Sequence, residues 1–251
     1  ILQKADPYGN RTQPAPVWNS VVAEVTGFQW TDEKWMTDRK KYDDRKQPVS
    51  IYETSLGQWK EGKDLIAFVK GQGYTHVELH PVMEFLEEGS DGYPTSAYFA
   101  LSTRYGTPAD FAALVDGLHQ EGIGVILDWS PAQFPGYAGG LEKFDGTPLY
   151  EVKDPDMAVH PMWGTMLYNY DSPMVKDFLI SNACFWLEVF HVDGLRMDDV
   201  DAMLYLDYGR KDGWTPNLYG SNENLHAIEF LKHLNSIVKK RAPGALLIAQ
   251  E

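Results

Sequence analysis

Gly124-Val125-Ile126-Leu127-Asp128 is apolar until its last position. A short run of that kind, rich in β-branched residues, reads as a strand buried on both faces. Four similar runs flank it, at Val49–Tyr52, Thr75–Leu79, His191–Met197 and Ala245–Ala249. Segments of helical period separate them. Asp64-Leu65-Ile66-Ala67-Phe68-Val69-Lys70 is amphipathic and ends at Gly71 and Gly73, where glycine can adopt the left-handed cap conformation. Thr107-Pro108-Ala109-Asp110 opens a second helix, with Thr107 as N-cap, Pro108 at the first helical position and Asp110 at the positive end of the dipole. Its apolar residues Phe111, Leu114, Val115 and Leu118 fall three or four apart. Later helices are expected from about Ser172 to Phe190 and from about Asn222 to Lys240.

Strands that alternate with helices and are apolar nearly throughout indicate a parallel sheet covered by helices, an α/β fold. A doubly wound sheet would carry a glycine-rich phosphate loop after its first strand, and Thr54-Ser55-Leu56-Gly57-Gln58-Trp59 has no such spacing. A (β/α)8 TIM-type barrel is therefore expected, of which residues 48–251 supply about the first five strands. Polar residues gather where these strands end: Glu78 and His80, then Asp128, then Arg196, Asp198 and Asp199, then Gln250 and Glu251. In a barrel those ends form one rim around one cavity. Residues 1–47 differ, being rich in Pro, Asn, Gln and charge, with an aromatic-apolar patch from Val17 to Trp30 and a charged run from Asp38 to Arg45. They read as the end of one module and a linker.

Composition narrows the partners. A net charge of −14 and a pI near 4.9 argue against nucleic acid, because binding it rests on clustered Lys and Arg. A neutral substrate remains compatible. No stretch approaches the ~20 apolar residues of a membrane span, so no membrane partner is expected, and the start of the chain lacks the basic, apolar, small-residue order of a signal peptide. A cytoplasmic monomer is the default expectation, and Ile1 in place of Met suggests that the natural start lies upstream. The single cysteine, Cys184, sits in an apolar helical pattern and reads as core. Aromatic residues make up 13% of the chain, and their flat rings suit the apolar faces of sugars as well as protein cores.

The strongest chemical signal is Asp193-Gly194-Leu195-Arg196-Met197-Asp198-Asp199. Alternation along a strand puts Arg196 and Asp198 on one side. An Arg there would keep the carboxylate ionised, as a nucleophile requires, or would form an ion pair that only fills the barrel. Asp198, Asp199 and Asp201 could suggest a metal, but alternation splits them between faces, so no metal or cofactor is expected. Retaining glycosyl transfer needs two carboxyl groups about 5 Å apart. Asp198 and a carboxyl at the end of the next strand, around Glu251, are placed to attempt it.

Several stretches together resemble the α-amylase superfamily in its glycogen branching enzyme version. They are Ser50-Ile51-Tyr52-Glu53, Glu78-Leu79-His80-Pro81-Val82-Met83-Glu84, Gly92-Tyr93, Arg104-Tyr105-Gly106-Thr107-Pro108, the run from Gly124 to Trp129, and Asp193 to Asp198. The branching subgroup is indicated by His160-Pro161-Met162-Trp163-Gly164-Thr165, Phe185-Trp186-Leu187-Glu188, Leu204-Tyr205-Leu206-Asp207-Tyr208, Asn217-Leu218-Tyr219-Gly220 and Glu223-Asn224-Leu225. Lys4-Ala5-Asp6-Pro7-Tyr8 looks like the tail of the β-sandwich that precedes such barrels.

The resemblance implies an α-glucan substrate and a transferase of glycogen synthesis that cleaves α-1,4 bonds and forms α-1,6 branches. Asp198 would be the nucleophile, Arg196 its charge partner, Asp128 a structural carboxylate of the first sugar subsite and Tyr93 a stacking platform. A hydrolase of the same superfamily and an inactive glucan-binding relative stand as alternatives. The departures matter for that choice. Gln133 replaces a histidine expected to hold the sugar, Asp91 replaces a Trp and Phe85 a His. In the last strand Gln250 stands where the family has its proton donor, and an amide cannot be a general acid. Glu251 is adjacent, but on an extended strand it would face away unless the end of the chain bends. By the same resemblance three further strands, a third active-site Asp with its neighbouring His, and a C-terminal β-domain would lie beyond residue 251, leaving an exposed parallel edge.

Overall fold

The computed structural model describes residues 3–14, 17–43, 45–87 and 89–251. Ile1, and Asp44 of the charged run, lie outside the described residues. In chain order the elements are α1 (Glu33–Arg39), β1 (Ile51–Thr54), α2 (Gly62–Gln72), β2 (His76–Leu79), β3 (Met83–Phe85), β4 (Thr95–Leu101), α3 (Pro108–Gln120) and β5 (Gly124–Trp129). There follow β6 (Gln133–Phe134), α4 (Pro155–Ala158), β7 (Met166–Leu167), α5 (Pro173–Val189), β8 (Gly194–Met197), α6 (Val200–Leu204), α7 (Leu225–Arg241) and β9 (Leu246–Ala249).

Strands β1, β2, β5, β8 and β9 form one sheet in that order, every pair parallel. The order never reverses. A doubly wound sheet turns back on itself at a switch point, whereas a barrel adds each strand on the same side, so this is the winding of a (β/α) barrel over its first five strands. Central strands β2 and β5 are buried throughout, while β1 and β9, each paired on one side, are partly exposed. The helices pack outside, α2 against α3 and α5 against α7.

Local sequence explains where the elements stop. Helix α2 ends on Gly73 at φ 78°, a left-handed conformation that costs a residue with Cβ dearly. Thr107 and Asp110 form a reciprocal capping box at the start of α3, with Pro108 in its first turn. The run expected from His191 becomes a strand only at Gly194, because His191 turns the chain at φ 57° and donates its ring to Asp32 at 2.8 Å. Trp129 Nε1 donates to Asn182 on α5 at 2.9 Å. Alternation therefore directs its neighbour Asp128 to the opposite face of the sheet, away from the helices.

A hairpin of β3 and β4 leaves the barrel between β2 and α3. It was not apparent in the sequence. Its anchor is Glu84, 1% exposed, whose carboxylate accepts from Ser102 Oγ at 2.9 Å, Thr103 N at 2.9 Å and Arg104 Nη1 at 2.7 Å. Arg104 also lies over the Phe85 ring, 4.1 Å from its centroid. Phe85 thus has a structural partner where the family pattern carries a His.

At the N-terminal ends of the strands a buried charge cluster ties the fold together. Asp193 Oδ1 accepts from Trp35 Nε1 at 2.8 Å and Arg39 Nη1 at 3.3 Å, and Oδ2 accepts from Val125 N at 2.8 Å and His119 Nε2 at 2.9 Å. His119 Nδ1 reaches Asp32 Oδ2 at 2.8 Å, so each imidazole nitrogen faces a carboxylate. Burial pulls the His119 pKa down, but hydrogen bonds and charge from Asp193 and Asp32 outweigh it and the pKa is raised. Burial pushes both carboxyls up, and their histidine partners, with Arg39 for Asp193, bring them below the ordinary value. Helix α1, in the segment read as linker, is therefore fastened to the sheet. The backbone of Gly244 comes so close to it that a Cβ would meet Arg39 O at 1.8 Å.

Two outcomes follow from this cluster. Asp193→Ala strands two cations and a buried amide, and chemical denaturation should show a loss of about 3–5 kcal/mol. The His119 contribution is complete below the unfolded imidazole value and disappears as pH rises through the raised folded one; those of Asp32 and Asp193 disappear as pH falls. Urea midpoints should therefore decline on both sides of a weakly acidic maximum, and His119→Asn should flatten the alkaline limb.

Candidate functional site

The C-terminal ends of the strands converge as expected of a barrel rim, and the register decides what meets there. In the β5–β8 pair Asp128 lies opposite Arg196. Arg196 Nη1 sits 3.2 Å from Asp128 Oδ2 and Nε sits 3.5 Å from Glu78 Oε1 at the end of β2. Tyr93, in the loop joining β3 to β4, donates its hydroxyl to Asp128 Oδ2 at 2.5 Å and receives Arg196 Nη1 at 3.5 Å. Asp128 is fully buried. Burial raises its pKa, against the lowering effects of the Tyr93 hydrogen bond and the Arg196 charge.

Next to this group opens a cleft lined by Tyr93, Asp91, Gln133, Trp163, Asp198, Asp199, Gln250 and Glu251, among others. Asp198 follows β8 directly, its amide held by Trp129 O at 2.9 Å. The expectation for Arg196 needs correction. Its contacts are with Asp128, Glu78 and Tyr93 rather than with Asp198, and its charge lowers the Asp198 pKa too little to offset burial and the neighbouring Asp199, so that carboxyl is pushed up to about 6. Glu78 is pushed up to about 7, chiefly by burial and then by the charge of Asp128.

Gln133 is held at both ends of its amide. Its Oε1 accepts from Thr165 Oγ1, and its Nε2 donates to Asp199 Oδ2 at 2.9 Å. Asp199 has a left-handed backbone, φ 61°, which turns its carboxylate back towards β6. On its other side is His160, a buried residue that sequence reading placed only within a motif. His160 Nδ1 accepts from Met162 N and Trp163 N, each at 3.2 Å, so the proton of the neutral ring sits on Nε2. That nitrogen lies 2.9 Å from Asp199 Oδ2, within ion-pair distance but off the direction of a hydrogen bond.

Gln250 and Glu251 both line the cleft. Both residues lie just past β9, which ends at Ala249. The Gln250 backbone is fixed on both sides, its N–H donating to Met197 O at 3.0 Å and its carbonyl accepting from Val200 N at 3.1 Å. Sequence reading missed Asp91 as a charge acting on Asp198, and it missed Trp163 and Thr165 as parts of the cleft. An acid in place of an expected ring was the available signal for Asp91.

The raised value of Asp198 carries a stability signature. Between about pH 4 and about pH 6 the folded protein holds this proton more tightly than the unfolded chain does, so stability falls over that window and stays lower above it. Asp198→Asn removes the effect. After allowance for solvent screening of a partly exposed group, it should be more stable than the parent by about 1–2 kcal/mol at alkaline pH. Denaturant titrations at acidic pH should show no such gain.

The family model described as "Alpha amylase, catalytic domain" matches residues 26–131. The 1,4-α-glucan branching enzyme of Nitrosococcus oceani is 47% identical over 100% of this chain, which covers 35% of that protein. That of Methylococcus capsulatus is 48% identical over 100% of the chain and 36% of the protein, and that of Thermobifida fusca 48% over 99% and 34%. The chain thus spans about a third of the length of these curated relatives. A crystal structure from Salmonella typhimurium assigned as an α-amylase superposes with a TM-score of 0.74 at 23% identity, over 98% of this chain and 38% of that one, and shares the fold. From end to end, nearly half of the chain's residues are identical to those of branching enzymes, and the chain is similar to about a third of such an enzyme, with residues 26–131 matching the α-amylase catalytic domain.

Proposed function

We propose that this chain supplies the nucleophile side of a glucan site in a protein that cleaves α-1,4-linked glucan and rejoins it through α-1,6 bonds, as a cytoplasmic step of glycogen synthesis. The observation that carries the reading is the placement of Asp198 in a cleft beside the Tyr93–Asp128–Arg196 group. Asp198 attacks the anomeric carbon and displaces the leaving chain oxygen, giving a covalent glucosyl–Asp198 ester; a sugar hydroxyl then displaces Asp198, so configuration is retained overall. Tyr93 gives a sugar ring an apolar face, and Asp128 and Arg196 hold the Tyr93 hydroxyl in place. Trp163, 62% exposed on the cleft wall, offers a further surface for a glucan chain.

The acid half of the reaction is where this sequence departs from its relatives' pattern. Gln250 has no proton to give the leaving oxygen, and Glu251 is the nearest titratable group in chain order. The proposed state of the unaltered chain is therefore a glucan-binding one with little or no turnover.

Maltooligosaccharide binding and product analysis on amylose test both parts. The chain should bind maltoheptaose, and Tyr93→Ala should weaken that binding. Gln250→Glu in a protein carrying this sequence should raise branch formation by about 100-fold or more, with new α-1,6 linkages and no rise in reducing ends; rising reducing ends would identify a hydrolase. Turnover by the unaltered chain that disappears in Asp198→Ala would refute the inactive state, and failure to bind any glucan would refute the site.

A further inference from the structure

The acids at the strand ends are more numerous than the glucan reading uses. Glu53 is the penultimate residue of β1, His80 follows β2 and Asp128 lies on β5, three neighbouring strands of the sheet. The β2–β5 register pairs Leu79 with Leu127, so His80 and Asp128 come one step later on each strand. Glu53 pairs with Glu78. His80 Nε2 lies 3.0 Å from Glu53 Oε1. One ligand atom each from Glu53, His80 and Asp128 falls within 4.8 Å of the others, and this is the group of metal-ligating side chains that meets that limit among the described residues.

An independent observation concerns Asp128. The two oxygens of its buried carboxylate are treated unequally: Oδ2 takes both Tyr93 and Arg196, while Oδ1, equally buried, has no partner. An unsatisfied carboxylate oxygen inside a protein is costly and marks a place where a cation or donor belongs. Arg196 lies on the Oδ2 side and already faces Glu78, so its charge is committed there. Glu78 and Asp128 set two carboxyl groups against that one guanidinium, and Glu53 faces His80 instead.

We propose that Glu53, His80 and Asp128 bind a divalent transition-metal ion of the Zn2+ class. One imidazole and two carboxylates match the ligand set of borderline ions such as Zn2+, Co2+ and Mn2+ better than that of Ca2+, which takes oxygen ligands alone. Ligands bonded at about 2.0–2.2 Å in a tetrahedron stand roughly 3.4 Å apart, so the trio needs only small side-chain shifts to close on the ion. The fourth position would hold water. His80 is the deciding residue, because it gives the cluster a nitrogen ligand and sits half-buried at the rim where an ion can enter.

The test uses the whole chain in chelator-free buffer. Calorimetric titration with ZnCl2 should show one saturable site per chain, and Co2+ should give the visible absorption of a tetrahedral complex. His80→Ala and Glu53→Gln, both at the accessible rim, should each weaken Zn2+ binding by at least about tenfold and abolish the Co2+ spectrum. His226→Ala should change neither, although His226 forms another histidine–carboxylate pair, with Asp171. Absence of saturable binding would overturn the proposal, as would binding that survives His80→Ala unweakened or binding lost in His226→Ala.

Discussion

Asp193 is the residue on which the arrangement of the sheet depends. Its amide donates to Val125 O at 2.6 Å, its carbonyl accepts from Leu246 N at 2.8 Å, and its side chain takes Val125 N at 2.8 Å. One residue thereby sets the relative height of β5, β8 and β9. Because side chains alternate with a period of two, a slip of one position would send Arg196 into the helix layer and bring Leu195 or Met197 to face the cleft. With the register fixed at one end, the other end places Asp128 opposite Arg196 and Asp198 just beyond the strand. The chemistry at the rim is thus aligned from below, by a charge cluster that itself touches nothing in the cleft.

At the rim the balance of charge runs the other way. The lower cluster matches its carboxylates with imidazole and guanidinium, whereas in the cleft Asp91, Asp198, Asp199 and Glu251 line a wall without a lysine or arginine among them. Asp199 is central to this contrast. It fixes the amide of Gln133 in one orientation, meets the protonated nitrogen of His160, and raises Asp198 by its proximity. A cationic histidine at position 133 would oppose part of that negative charge; glutamine cannot. The residue at 133 therefore bears on the electrostatics around Asp198.

The barrel was legible in the sequence because its central strands are buried on both faces and read as uninterrupted apolar runs, and because Thr107, Pro108 and Gly73 punctuate the helices between them; Gly71, expected to end α2 as well, lies within it. The cleft was legible in part. Asp198, Tyr93 and Gln133, which line it, and Asp128, buried beside it, could be named because they end strands or sit in recognisable motifs. What alternation could not supply was pairing between distant strands: it put Arg196 on the correct face but could not say that Asp128, 68 positions earlier by the numbering, would be its nearest partner. Asp32 and His119 carried no signal, since their roles arise only once a segment read as linker folds beneath the sheet. The β3–β4 hairpin was hidden for a similar reason, its anchor Glu84 being a lone acid until Ser102 and Arg104 come round to meet it.

The near-contact of Gly244 with the carbonyl of Arg39 has a kinetic side. It joins backbone segments separated by roughly 200 residues, and encounters across so long a span are slow to form and rewarded late, since the entropy of closing the intervening chain must be lost first. Helix α1 should therefore be among the last parts to settle, docking only after β8 and β9 have paired. Any larger side chain at position 244 would act chiefly on that final step, letting the early strands assemble normally while the closing one stalls.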